Sequence, residues 1–117
     1  MIIRKQVNER MSRIVENNGV VYFAGIVSDD KTLDIEGQAK RALEIAEIRF
    51  EEAGVTKNDL LMAQIFIKDI YRDFVDFNGV WDAWVSKENP PARACVEANI
   101  ASQETLVEIV FTATKSK

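Results

Sequence analysis

Two segments of this chain, Val20 to Val27 and Leu60 to Asp69, are apolar on both faces of an extended strand, yet only two stretches have helical periodicity to cover them. In the first segment Val21, Phe23 and Val27 alternate with Val20, Tyr22, Ala24 and Ile26; in the second Leu61, Ala63, Ile65 and Ile67 alternate with Met62, Gln64 and Phe66. Successive side chains point to opposite sides of a strand, so both segments call for cover on two sides. Two helices cover one face of a sheet this large. The other face needs a further protein surface, and the simplest is another copy of the chain. A homo-oligomer is therefore expected.

The helices themselves are well marked. Ile35, Ala39, Ala42, Leu43, Ala46, Phe50 and Ala53 recur every three or four residues, which predicts an amphipathic helix from about Asp34 to Ala53, ended by Gly54. A second runs from Tyr71 or Arg72 to Ser86, with Phe74, Phe77, Trp81 and Trp84 on its core side. Residues 1 to 7 and 12 to 16 read as short strands, and Asn17-Asn18-Gly19 supplies a tight hairpin into Val20. The order is strands, helix, strand, helix, two strands, without a linker or low-complexity tract. This predicts a single α+β domain over 1–117, one sheet with both helices on one face.

Composition narrows the function. With 15 basic against 19 acidic residues and a formal net charge of −4, the chain lacks the clustered basic surface of a nucleic-acid binder. It has no histidine, which removes the usual general base and the commonest metal ligand together, so serine-type triads and zinc hydrolases are disfavoured and no metal is expected. No cofactor is called for; carboxylates, Arg, Tyr, Cys, backbone and water remain. One cysteine, no apolar stretch near the roughly 20 residues of a membrane span, and no apolar leader at Met1 to Val7 together lead to the expectation of a cytoplasmic protein without membrane contact.

The chemistry-bearing stretch is Asn89-Pro90-Pro91-Ala92-Arg93-Ala94-Cys95-Val96-Glu97-Ala98-Asn99. The two prolines break the helix and deliver an extended strand. Arg93, Cys95, Glu97 and Asn99 then share one face. In the next strand Glu108 stands alone among apolar neighbours, and if the two strands pair, Arg93 and Glu108 look into the same space. Each residue also has a plainer reading. Arg93 serves equally as an interface arginine, Glu108 as its ion-pair partner, Glu97 as an interface salt-bridge member, Cys95 as a small buried filler, Asn78 as a helix-surface group, and Tyr22 and Phe23 as core or interface.

The run Pro91 to Glu97, with Val107-Glu108-Ile109 beyond it, resembles the C-terminal signature of the RidA/YjgF family of enamine/imine deaminases, once called translation inhibitors or L-PSP endoribonucleases. Val21 to Gly25, Gln38, Ala53-Gly54, Phe66 to Ile70, Phe74 and Phe77-Asn78 extend the likeness over most of the chain, and Trp81-Asp82-Ala83-Trp84-Val85 looks closest to a less studied branch. The resemblance implies a chorismate-mutase-like, RidA-like fold, a homotrimer with sheets facing inward, and three clefts at subunit boundaries.

It further implies that Arg93 binds the substrate carboxylate and Glu108 holds a water near the imine carbon, with Cys95, Asn78 and Tyr22 lining the pocket. The implied reaction is hydrolysis of 2-imino or enamine acids to 2-keto acids and ammonia. A guanidinium fork suits a carboxylate, and a carboxylate can take and return the proton of an attacking water. The alternative is a trimer that binds a keto acid or similar carboxylate without turnover. Departures accompany the likeness: Ala24-Gly25-Ile26 stands where the best-known deaminases carry Ser-Gly-Gln, and Arg10-Met11-Ser12-Arg13 where they carry Gly-Pro-Tyr.

Overall fold

A computed structural model describes residues 1–115. Its elements in chain order are β1 (Ile3–Val7), β2 (Ser12–Asn17), β3 (Val20–Phe23), α1 (Ile35–Ala53), a single 3₁₀ turn at Lys57–Asp59, β4 (Leu60–Ile67), α2 (Ile70–Trp84), β5 (Ala92–Glu97) and β6 (Val107–Thr114). They form one six-stranded sheet in the order β1-β2-β3-β6-β4-β5. Every neighbouring pair is antiparallel except β4 and β5, which are parallel. A parallel pair needs a long crossover, and α2 is that crossover.

Local sequence sets the turns and caps. Asn18 at φ 54 and Gly19 at φ 79 take left-handed backbone through the β2–β3 hairpin, which Asn and Gly do with least strain. Helix α1 starts where the Asp34 carboxylate accepts from the Gly37 amide, and stops where Gly54, at φ 81, turns its N–H back to Phe50 and Glu51. For α2, Asp69 accepts from the Arg72 amide and Glu97 accepts from the Ile70 amide at 3.1 Å, so two carboxylates meet the positive end of the helix dipole. Glu97, expected as an interface ion-pair member, is thereby committed within its own chain.

Both helices lie on one face of the sheet. Val21, Phe23, Ala63, Ile65, Ile67, Val107, Ile109, Phe111 and Ala113 are buried there against Ala39, Leu43, Ala46 and Phe50 of α1 and Phe77 and Trp81 of α2. Phe50 packs edge-on to Phe23 and Phe111, each at 5.2 Å, and Trp81 stacks on Phe111. Each such fully buried aromatic stabilises the fold by about 2–3 kcal/mol of transfer free energy. Phe74 is the exception among the four helix aromatics, since its side chain is still 39 % exposed. Buried Gln38 donates to the carbonyls of Leu33 and Glu104 and accepts from the Leu106 amide, tying the loop before β6 to the start of α1.

Three expectations need correction. The strand expected from Val20 to Val27 is regular only to Phe23, after which the chain irons out a break and rejoins β6 through an isolated bridge between Ile26 and Ile109. A register shift between Leu60 and Met62 puts Leu60 on the covered side and leaves Leu61 48 % exposed, so Leu61 does not share a face with Ala63. The run Leu60-Leu61-Met62 is apolar throughout, so alternation alone could not fix its phase. Finally, β5 and β6 do not pair, because β4 lies between them.

The sheet's second face carries no helix. Tyr22 and Val96 are about half exposed there, with Met62, Phe66, Val110 and Thr112 partly so. Among the described residues no helix is long and apolar enough to cross a membrane.

Candidate functional site

Arg93 stands on β5, an edge strand whose outer side has no partner strand among the described residues. Its register partner is Ala63, so its side chain leaves the sheet on the helix-covered side. There the guanidinium rests 5.5 Å from the Trp81 ring centre and 6.0 Å from that of Phe77, and its Nη2 donates to Asn78 Oδ1 at 2.7 Å. Residues 77, 78 and 81 occupy one turn of α2, which presents two aromatic rings and an amide oxygen to the same point. The rings supply a cation–π floor and the amide fixes one edge of the fork, while the guanidinium makes no other side-chain hydrogen bond among the described residues. Sequence reasoning placed Phe77 and Trp81 in the core, which they are; their second task was legible only in their spacing around Asn78.

Cys95 is two residues along on the same side, partly buried against the core. Burial pushes its thiol above the ordinary value, and the nearby Arg93 charge only partly offsets that. A protonated, half-buried thiol is a pocket wall rather than a nucleophile.

Glu108 is elsewhere. It is opposite Phe66, three residues out of phase with the Ala63–Arg93 pair, so it leaves the sheet on the open face while Arg93 leaves on the covered one. No ion pair joins them within the chain. The Glu108 carboxylate instead fills the space beside Gly25: a Cβ built on that glycine would stand only 2.9 Å from Glu108 Cδ and closer still to Oε2. Tyr22 is also on the open face, paired in register with Thr112. Of the five expected site residues, one chain thus gathers Arg93, Asn78 and Cys95 on one side of the sheet, and holds Glu108 and Tyr22 on the other.

A cleft of about 480 Å³ opens beside Gly25, between α1 and the chain from Ala24 to Lys31, with Met11 and Arg13 of the preceding hairpin on its wall. Here Arg41 grips Asp29 through two hydrogen bonds of 2.9 Å, which hold the Asp29 carboxyl below its usual range and raise the guanidinium above its own. Another cavity, about 610 Å³, is between the outer flanks of α1 and α2 over Leu43, Val80 and Trp84, and none of the expected site residues lines it.

A small mixed sheet with two helices on one face and an arginine on its edge strand defines the class: a small single-sheet α+β protein. A family profile described as Endoribonuclease L-PSP matches residues 3–115. A RutC family protein of Haemophilus ducreyi is 35% identical over 113 residues, covering 97% of this chain and 96% of that protein, and one of Haemophilus influenzae is 38% identical over 109 residues, covering 90% of each. The crystal structure of a YjgF family member from Neisseria meningitidis superposes with a TM-score of 0.96 at 36% identity, over 100% of this chain and 97% of that one. The chain belongs to the RutC/YjgF (L-PSP) family.

Proposed function

We propose that the protein hydrolyses reactive 2-imino and enamine acids to 2-keto acids and ammonia, in clefts formed where one copy of the chain meets another. The observation that carries this reading is Arg93: a half-buried guanidinium on an edge strand, seated on Phe77 and Trp81 and tied by Asn78, with its other donors in no hydrogen bond among the described residues. A fork held this way is preorganised for a small carboxylate.

Glu108 faces away from Arg93 of its own chain, so the second half of the site comes from a neighbouring copy. The half-exposed apolar face and the unpaired β1 and β5 edges support self-association, and a closed homotrimer is the assembly proposed. In the assembled cleft Arg93 holds the substrate carboxylate and the neighbour's Glu108 orients a water. Oxygen attacks the C=N carbon as Glu108 takes the water proton. The π electrons pass to nitrogen, and the resulting carbinolamine receives that proton back at nitrogen. The hydroxyl proton then passes to nitrogen as the C–N bond breaks, which releases ammonia and leaves the keto acid. The backbone around Cys95 lines the pocket. No step needs a metal or an organic cofactor.

Ala24 and Ile26 give the Gly25 side of the cleft no hydroxyl or amide, and this favours a second reading in which a keto acid binds without turnover. Imines generated in situ by an amino-acid oxidase decide between the two. Wild type should accelerate keto-acid formation and Arg93→Ala should not. Thermal stabilisation by keto acids with no acceleration would overturn the enzymatic reading in favour of the binding one.

A further inference from the structure

The cleft beside Gly25 has a charge unlike that of the rest of the molecule. Four cations line it, Arg13, Lys31, Arg41 and Arg49, against one carboxylate, Asp29, in a chain whose formal net charge is −4. That single carboxylate is occupied by the two hydrogen bonds from Arg41. Arg49 is held by Glu52 at 3.4 Å. Arg13 is half-buried and forms no ion pair among the described residues. A half-buried guanidinium without a carboxylate has lost part of its hydration, and an incoming anion would pair with it. Met11, Ile45 and Ile48 add apolar lining beside these cations, which suits a ligand with a short carbon chain between charged ends.

Gly25 connects this cleft to the chemistry. It lines the cleft on one side, and on the other its missing side chain is where the Glu108 carboxylate lies. A ligand that reached from Glu108 past Gly25 would enter this cleft and meet Arg13.

We infer that the cleft takes a dicarboxylate: the substrate is a short-chain 2-imino diacid, whose 1-carboxylate sits on Arg93 of one copy and whose terminal carboxylate is held by Arg13 of the other. This rests on the deaminase reading for the reaction, while the assignment of Arg13 as the second anion site does not need turnover. A monocarboxylate of the same length leaves Arg13 without an anion. Specificity of this kind is larger than that from one more methylene, because a half-buried charge is left unpaired when the group is missing.

The test compares imines of aspartate and glutamate with those of alanine and 2-aminobutyrate, and in parallel measures binding of 2-oxoglutarate and of 2-oxobutyrate by calorimetry. Wild type should prefer the diacid by about tenfold or more in kcat/KM and in affinity. In Arg13→Ala that ratio should fall to near one, and Arg13→Lys should restore part of it. Loss of turnover for every imine, with the diacid preference in binding intact and dependent on Arg13, would end the deaminase reading and leave the Arg13 site standing. A wild-type ratio near one, or a ratio unchanged in Arg13→Ala, overturns the inference.

Discussion

Replacing Gly25 by Ala separates the folding role of that glycine from its role in the site. Gly25 is not among the glycines at positive φ, so its backbone accepts a side chain. The obstacle is the Glu108 side chain, with Cδ at 2.9 Å and Cγ at 3.3 Å from the added carbon. Ordinary contact between such carbons starts near 3.5 Å. Because Oε2 is nearer still than Cδ, Glu108 must swing its carboxylate aside by at least about 1 Å, at about 0.5–1.5 kcal/mol of rotamer strain. A Gly→Ala change in permissive backbone returns about 0.4–1 kcal/mol through the unfolded state. These nearly cancel, so Tm should move by no more than about 5 °C. Catalysis has no such compensation. A carboxylate that positions water and is displaced by about 1 Å should lower kcat/KM about 100-fold, close to 3 kcal/mol of transition-state stabilisation. The assay is keto-acid release from oxidase-generated imines, beside a thermal melt and a Glu108→Gln control. Gly25→Ala with kcat/KM within threefold of wild type would refute the argument.

Further perturbations follow from other contacts. Asn78→Ala removes the 2.7 Å tether from Arg93 but leaves its aromatic floor, so KM should rise about 5–10-fold in steady-state kinetics, with a melt close to wild type. Gln38→Ala strips partners from the Leu106 amide and the Leu33 and Glu104 carbonyls together, and urea unfolding should register a loss of about 2–4 kcal/mol. Phe77→Ala should cost about 3–5 kcal/mol by the same measurement, because the ring is fully buried and supports Arg93 as well. Burial disfavours the Cys95 thiolate, so its alkylation by iodoacetamide should be slow at neutral pH and reach half-maximal rate above the ordinary 9.0; a midpoint at or below that value would contradict the placement of the thiol.

How much of this was legible beforehand depends on whether the signal was local. Helix α1, its Asp34 and Gly54 ends, the Asn18-Gly19 turn and the alternation of Val107, Ile109, Phe111 and Ala113 are encoded within a few residues of where they act, and the structure bears them out. Strand order is not local. Arg93 and Glu108 were expected to look into one space if their strands paired, but β4 lies between β5 and β6, and register parity through Phe66 and Ala63 sends the two side chains to opposite faces. The β-α-β pattern of β4, α2 and β5 already favours a parallel pair, and this was the available clue. The seat of Arg93 on Trp81 and Phe77, the space Gly25 leaves for Glu108, and the cationic cleft around Arg13 each join residues from different elements. No periodicity within one element reveals them.

The central claim is that Arg93 and Glu108 act together only across two copies of the chain. Arg93→Ala and Glu108→Gln, each inactive alone, can be unfolded, mixed in equal amounts and refolded together. In the proposed trimer, mixed at random, about a quarter of the clefts would pair an intact Arg93 from one copy with an intact Glu108 from the next, so about a quarter of wild-type activity should return. Refolded mixtures that exchange subunits yet stay as inactive as either parent would contradict the account.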